Sequence, residues 1–186
     1  MNTLSYGLLA FLAREPSSGY DLMLRIQPFW QAKHSQIYPL LSIMEEKELL
    51  SSYWIKQFDK PDKKIYTLTE QGTRKLKEWM YKTLPDPVTR DELSMRTFCM
   101  WMTDRDNAIE IIETRKAYFV RRLEAFEALK DKIPDEKRQF GNKEFYDYML
   151  IQKGMFNASA GLEWCKWVLT MLREQASIEP PTLYSS

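Results

Sequence analysis

Lys33-His34-Ser35-Gln36-Ile37-Tyr38-Pro39-Leu40-Leu41-Ser42-Ile43-Met44, followed by Tyr53-Trp54-Ile55-Lys56-Gln57-Phe58 and Lys64-Ile65-Tyr66-Thr67-Leu68, is the stretch whose reading decides the fold. The first block places Ile37, Leu40, Leu41 and Met44 on one helical face and Gln36, Tyr38 and Ser42 on the other. The other two blocks are rich in the β-branched and aromatic residues that suit a pleated surface, and the lysine-rich run Lys56 to Lys64 reads as a hairpin tip. A helix from Lys33 to Leu49 and then a hairpin is therefore expected, with Leu49-Leu50-Ser51-Ser52 ending the helical period. Pro39 limits how early that helix can start, because a proline beyond the first turn loses one backbone hydrogen bond.

Working outward, Leu4, Leu8, Leu9, Phe11 and Leu12 recur at helical spacing until Arg14-Glu15-Pro16 stops them. Ser17-Ser18-Gly19 offers a cap and a turn before a second helix carrying Tyr20, Leu22, Met23 and Ile26 and ending near Pro28, with Asp21 in the first turn where a carboxylate suits the helix dipole. Thr69 is the expected cap of a fourth helix through Leu76, Trp79 and Met80, and Leu84-Pro85-Asp86-Pro87 is the expected domain boundary. Beyond it the chain reads as helices over Asp91 to Met102, Arg105 to Lys132 and Lys143 to Gln175. Their broad apolar stripes need partners. Gly154, Ala158, Ala160 and Gly161 suit close antiparallel approach of a helix from a second subunit.

The expected fold is mainly α with a small β component (α+β). An N-terminal winged helix-turn-helix domain spans 1–84, an all-helical dimerisation and effector domain spans 88–176, and a flexible tail spans 177–186. Of the 186 residues 44% are hydrophobic, enough for packed cores. Cys99 and Cys165 are too few and too far apart for a disulfide framework or a zinc site, so both are expected to be buried thiols. His34 is the only histidine, which leaves no metal site and no catalytic triad, so neither a cofactor nor an enzyme is expected. No run approaches the length of an apolar membrane span and no signal-peptide pattern is present, so a cytoplasmic protein without membrane contact is expected.

The net charge of +1 conceals a split: 12 Lys+Arg against 9 Asp+Glu from Met1 to Thr83, and 15 against 17 in the rest. A mildly positive first half suits contact with phosphate. The order helix, helix, helix, hairpin is that of a winged helix-turn-helix, whose second motif helix enters the major groove while neighbouring groups grip phosphates. On that frame Lys33, His34, Ser35, Gln36 and Tyr38 form the reading turns, and Gln36 suits a bidentate contact with adenine, worth about 1–3 kcal/mol of discrimination. Ser18 and Tyr20 open the supporting helix, and Lys60, Lys63 and Lys64 supply sequence-blind affinity from the wing. A lysine-rich hairpin tip is more often a solvated turn, and Tyr20 and Tyr38 could simply pack a small core; the conjunction of elements in order favours double-stranded DNA.

Ser18-Gly19-Tyr20-Asp21, His34-Ser35-Gln36-Ile37-Tyr38-Pro39-Leu40-Leu41, Glu45-Glu46-Lys47-Glu48-Leu49-Leu50 and Lys64-Ile65-Tyr66-Thr67-Leu68-Thr69-Glu70-Gln71-Gly72 together resemble the PadR family of bacterial transcriptional regulators. The helical second half is similar to the family's longer subclass, which includes the phenolic acid repressor and the AphA-type virulence activator. One departure stands out: Glu48 occupies the position after the reading helix where the family usually has glycine. The resemblance implies a homodimer joined by its C-terminal helices on a pseudo-palindromic operator, released by a small aromatic acid held between the two halves.

For such an effector the second half offers Tyr118, Arg121, Arg122, Tyr148, Lys153 and Trp164, aromatic walls plus cations for a carboxylate. Phe145, Met149, Phe156, Trp164, Trp167 and Leu172 are the expected dimer contacts. Two other readings remain open: a multidrug-responsive repressor of a transporter gene, and a winged-helix protein-interaction module that has lost DNA.

Overall fold

The structure, a computed structural model, describes residues 1–59, 61–175 and 179. It divides into two compact units, Met1–Pro87 and Val88–Ser186.

In the first unit, α1 (Thr3–Leu12) is capped by Asn2, whose side chain accepts from the Ser5 N–H at 2.9 Å. A short strand, β1 (Ser17–Ser18), runs into α2 (Gly19–Ile26), and α3 (His34–Glu46) follows. The hairpin is β2 (Leu50–Ile55) with β3 (Lys63–Leu68), and α4 (Glu70–Met80) closes the unit on the Thr69 cap. The sheet order is β1-β3-β2, all antiparallel, with Leu50 opposite Leu68, Ile55 opposite Lys63 and Ser17 opposite Tyr66. The two-residue β1 stands where the sequence suggested only a cap and turn. Two residues carry no periodicity, and their pairing is decided by β3, 47 or more positions away.

Leu8, Leu9, Leu22, Ile37, Leu41 and Met44 are fully buried at the centre of this unit. Each such side chain contributes roughly 1.5–3 kcal/mol by leaving water. Both faces of α3 follow from this: Ile37, Leu41 and Met44 lock it inward, leaving Ser35, Gln36, Tyr38 and Ser42 outside. Contrary to the expected limit, the helix begins five residues before Pro39 and runs through it. Ser35 and Pro39 are both exposed, so the carbonyl that lacks a proline N–H faces outward, where it can be solvated.

The end of α3 explains the Glu48 departure. Glu48 takes φ +56°, the Glu48 N–H donates to the Glu45 carbonyl at 2.9 Å, and the Leu49 N–H donates to the Met44 carbonyl at 2.9 Å. This pair of bonds is a Schellman motif, which places a left-handed residue at the position now held by glutamate. Leu49 and Met44 share the core, the apolar contact that accompanies it. The start of α4 satisfies the turn's remaining carbonyls: Thr69 Oγ1 donates to Glu48 O at 2.7 Å, and the Thr69 N–H donates to Leu49 O at 3.2 Å. Gly72 permits that approach, since a Cβ there would lie 2.2 Å from Leu49 O.

In the second unit, α5 (Glu92–Phe98) is capped by Asp91 and gives way to a 3₁₀ turn, Met100–Met102, instead of continuing as one helix. Helices α6 (Arg105–Lys130) and α7 (Lys143–Glu174) follow, of about 39 and 48 Å at 1.5 Å per residue. They run antiparallel: Arg105 donates to Arg173 O, Phe119 packs on Gly161 and Phe126 on Gly154. Both the rings and the glycines are seven residues apart, so the knobs of one helix meet the holes of the other at two-turn spacing. Leu93, Ile112, Cys165, Val168 and Leu169 are buried between α5, α6 and α7.

This packing corrects two expectations. Gly154 and Gly161 admit rings of their own chain, since a Cβ at either would lie 2.3 Å from a phenyl carbon, and Ala158 is buried beside them. They are not held open for a second subunit. Trp164, Trp167 and Leu172, expected at a dimer surface, are half-buried against the cluster of this unit. Cys165 is buried as expected, and burial pushes its thiol above the ordinary range, but Cys99 is exposed because it lies off the Leu93, Thr97 and Met100 face that packs inward. Apart from Glu179, the expected tail 177–186 lies outside the described residues.

Candidate nucleic-acid interface and effector cavities

The first turn of α3 sets the geometry of the outward face. Gln36 folds back so that its Oε1 accepts from the Lys33 N–H at 3.0 Å, half of a capping box, to which the lysine side chain has no acceptor to contribute. The amide that suits adenine is therefore also the cap. Its NH₂ donors and the second lone pair of its oxygen remain for a base edge. Lys33, Ser35 and Gln36 are exposed in these turns.

Beside them the rings of His34 and Tyr38 stack at 5.6 Å with 7° between planes, and Tyr20 tilts against His34 at 6.2 Å. Gly19 makes room for this arrangement, because a Cβ there would lie 2.8 Å from the Tyr38 ring. Tyr20 and Tyr38 stay about half exposed, at 52% and 41%, so neither is core packing. Three rings and the reading turns thus form one surface.

Ser18 lines the same groove as Tyr20 and Tyr38 but offers it no free hydroxyl donor. It is buried, its hydroxyl donates to Asp21 Oδ2 at 2.8 Å, and it accepts from the Asp21 N–H at 3.2 Å. A hydroxyl committed to a helix cap has nothing left for phosphate. The expected wing cations are likewise committed. Lys63 Nζ lies 2.8 Å from Asp21 Oδ2, and Lys64 Nζ lies 2.7 Å from Glu45 Oε2, with the Ser52 hydroxyl donating to the other oxygen of Glu45. They sit in β3, not at the tip, and tie the wing to α2 and α3. The bond from Lys63 holds the Asp21 carboxyl below its usual range, and bonds from Lys64 and then Ser52 do the same for Glu45. Lys60 lies outside the described residues. Between wing and reading helix runs a groove of about 690 Å³ lined by Tyr20, Tyr38, Trp54, Gln57 and Pro61.

The six expected effector residues do not converge. Tyr118 and Arg121 line a cavity of about 600 Å³ between α5 and α6 together with Arg96 and Arg115. Tyr148 and Lys153 line an open groove of about 440 Å³ along α7, shared with Phe145, Met149 and Phe156. Trp164 lines a third cavity of about 360 Å³ with Phe119 and Thr97. Arg122 packs over the Phe126 ring at 4.4 Å. Side chains on long helices point wherever the helix rotation takes them, which residue type alone does not reveal. Arg96 and Arg115 were missed: Arg115 stands three positions before Tyr118 on α6, a local signal, whereas Arg96 comes from α5 and only the fold brings it there. Arg96 pairs with Glu92 at 2.6 Å and Arg115 with Asp91 at 3.2 Å, whereas Arg121 is exposed and, among the described residues, without an ionic partner.

Among the described residues no group of His, Cys, Asp and Glu could hold a metal ion, and no helix is long and apolar enough to cross a membrane. Residues 8–78 match the profile described as "Transcriptional regulator PadR-like family", and residues 89–173 match "Virulence activator alpha C-term". The negative transcriptional regulator PadR of Bacillus subtilis is 27% identical over 179 residues, covering 92% of this chain and 98% of that protein. Its crystal structure with operator DNA aligns with a TM-score of 0.78 at 26% identity over 92% of this chain and 99% of that one. Its complex with p-coumaric acid aligns at 0.74 and 24% identity, with the same coverage. A winged helix-turn-helix with a ring-lined reading helix, joined in one chain to long antiparallel helices and matched along both halves, has one reading: the chain belongs to the PadR-like family of transcriptional regulators.

Proposed function

We propose that this chain is a homodimeric repressor that binds a pseudo-palindromic operator through α3 and is released by a small aromatic acid. The observation that carries the reading is the outward face of α3, where His34, Ser35, Gln36 and Tyr38 stand exposed while Ile37, Leu41 and Met44 hold the helix rigidly from behind. A rigid helix with polar first turns is what major-groove readout requires. That the Bacillus subtilis relative has been solved with operator DNA supports it. Residues 1–84 are assigned to DNA and 88–176 to dimerisation and effector binding.

For the dimer, Met149 and Phe156 are 53% and 73% exposed beside Phe145 on the outer groove of α7, an apolar surface that a second copy would cover. For the effector, the cavity between α5 and α6 combines the Tyr118 ring with the unpaired Arg121, which suits an anionic aromatic. Arg121, the lining arginine without an ionic partner among the described residues, favours this over a cationic drug. The relative solved with p-coumaric acid supports the ligand class. Release follows if the acid prefers a dimer whose two reading helices no longer match half-sites about 34–36 Å apart.

The test is selection of duplexes from a randomised pool by the full-length protein, followed by titration of p-coumarate. A palindromic consensus is expected, with Gln36→Ala losing preference for it while keeping non-specific binding. The band should be released by the acid in wild type and at much higher concentration in Arg121→Gln. Selection of no consensus would overturn the DNA reading; a shifted band that persists at saturating acid would overturn the effector alone.

A further inference from the structure

We infer that the wing meets DNA through an apolar tip, Phe58 set into the minor groove beside the reading helix, while Lys63 and Lys64 serve as internal struts. The inference rests on the operator-binding reading above and goes beyond it in assigning how the wing binds.

Three observations lead there. Phe58 is 104% exposed, as open to water as in an extended chain. The loop it occupies, 56–62, carries Lys56 and Lys60 against Asp59 and Asp62, a formal charge of zero, and the exposed Asp62 carboxylate accepts from the Gln57 N–H across the loop at 3.4 Å. The two lysines that make the hairpin look basic are spent on Asp21 and Glu45. A wing of this kind has no net charge to place on phosphates. It does have a ring held in water, which loses free energy until something apolar covers it.

What covers it follows from position. Trp54, Gln57 and Pro61 of the wing and Tyr20 and Tyr38 of the reading motif line one groove, so a duplex seated against α3 passes along the wing. Proteins that enter the minor groove commonly insert apolar side chains there and open a base step. The two carboxylate ties, Lys63 to Asp21 of α2 and Lys64 to Glu45 of α3, hold the strand at the base of the tip beside the reading motif.

The experiment uses full-length protein on duplexes that wild type selects from a randomised 30-bp pool. Phe58→Ala is expected to weaken binding about tenfold with no change in the salt slope, and Phe58→Leu to retain most of the affinity. Hydroxyl-radical protection of the minor grooves flanking the reading site should disappear in Phe58→Ala, while dimethyl sulfate protection in the major groove stays. Lys63→Gln should leave the salt slope unchanged, whereas a phosphate contact would lower it by about one. Wild-type affinity and footprint in Phe58→Ala overturns the tip assignment with operator binding intact, and a lowered slope in Lys63→Gln overturns the strut. If wild type selects no duplex, the DNA reading falls and the inference falls with it.

Discussion

Replacing Glu48 by glycine should stabilise the N-terminal unit, and the structure separates the reasons. Two unfavourable contributions meet at this residue. It holds a left-handed backbone, φ +56°, which costs an L residue about 1–2 kcal/mol. It also places a carboxylate just past the C-terminus of α3, where the helix dipole disfavours negative charge by about 0.3–1 kcal/mol at an exposed site. Glycine removes both but loses about 0.5–1 kcal/mol of backbone entropy on folding. Glu48→Gly is therefore expected to gain about 1 kcal/mol, and Glu48→Ala, which removes only the charge, a few tenths. For a unit of this size that is roughly 4–8 °C in Tm for glycine and less than half of that for alanine. Urea unfolding and calorimetry on both variants and wild type measure the difference. Alanine stabilising as much as glycine would show that charge alone mattered, and a destabilised glycine variant would refute the left-handed assignment.

Gly72→Ala should act in the opposite direction. Its Cβ would meet Leu49 O at 2.2 Å and Leu68 Cδ1 at 2.6 Å, so α4 must retreat from the turn that it caps; a net loss of about 1–3 kcal/mol from overpacking, read by the same unfolding curves, is expected. In the helical unit, Gly154→Ala should expel the Phe126 ring at a similar cost, and Gly154→Ala with Phe126→Leu should recover most of it. No recovery would mean that the ring does not fill that notch. The Glu45 carboxyl is held below its ordinary range chiefly by Lys64, so its ionised form stabilises the fold above the unfolded-state pKa and that contribution is lost as pH falls through the lower folded value. The Tm gap between wild type and Glu45→Gln should accordingly be widest at neutral pH and close at acid pH; a gap independent of pH would contradict the ion pair.

Much was legible in the linear chain because the signals are local. The spacing of Ile37, Leu41 and Met44 dictates which face of α3 turns inward, the Thr69 cap starts α4, two prolines in three residues separate the halves, and the order of elements identifies a winged helix. The family resemblance also flagged Glu48, which stands where the family usually has glycine.

What needed the fold was every relation that spans distance or depends on helix rotation. Lys63 and Lys64 look like free wing cations until Asp21 and Glu45, from two other elements, are brought within 2.8 and 2.7 Å of them. Gly154 and Gly161 look like a subunit seam until the rings of Phe126 and Phe119, 28 and 42 positions upstream, fill them. Sequence determined which residues are apolar, which can cap and where helices must stop, because those depend on neighbours within a turn or two. Only the packed chain decided which charge meets which and which cavity a side chain faces, because successive side chains of a 48 Å helix point about 100° apart and packing alone sets what lies in each direction.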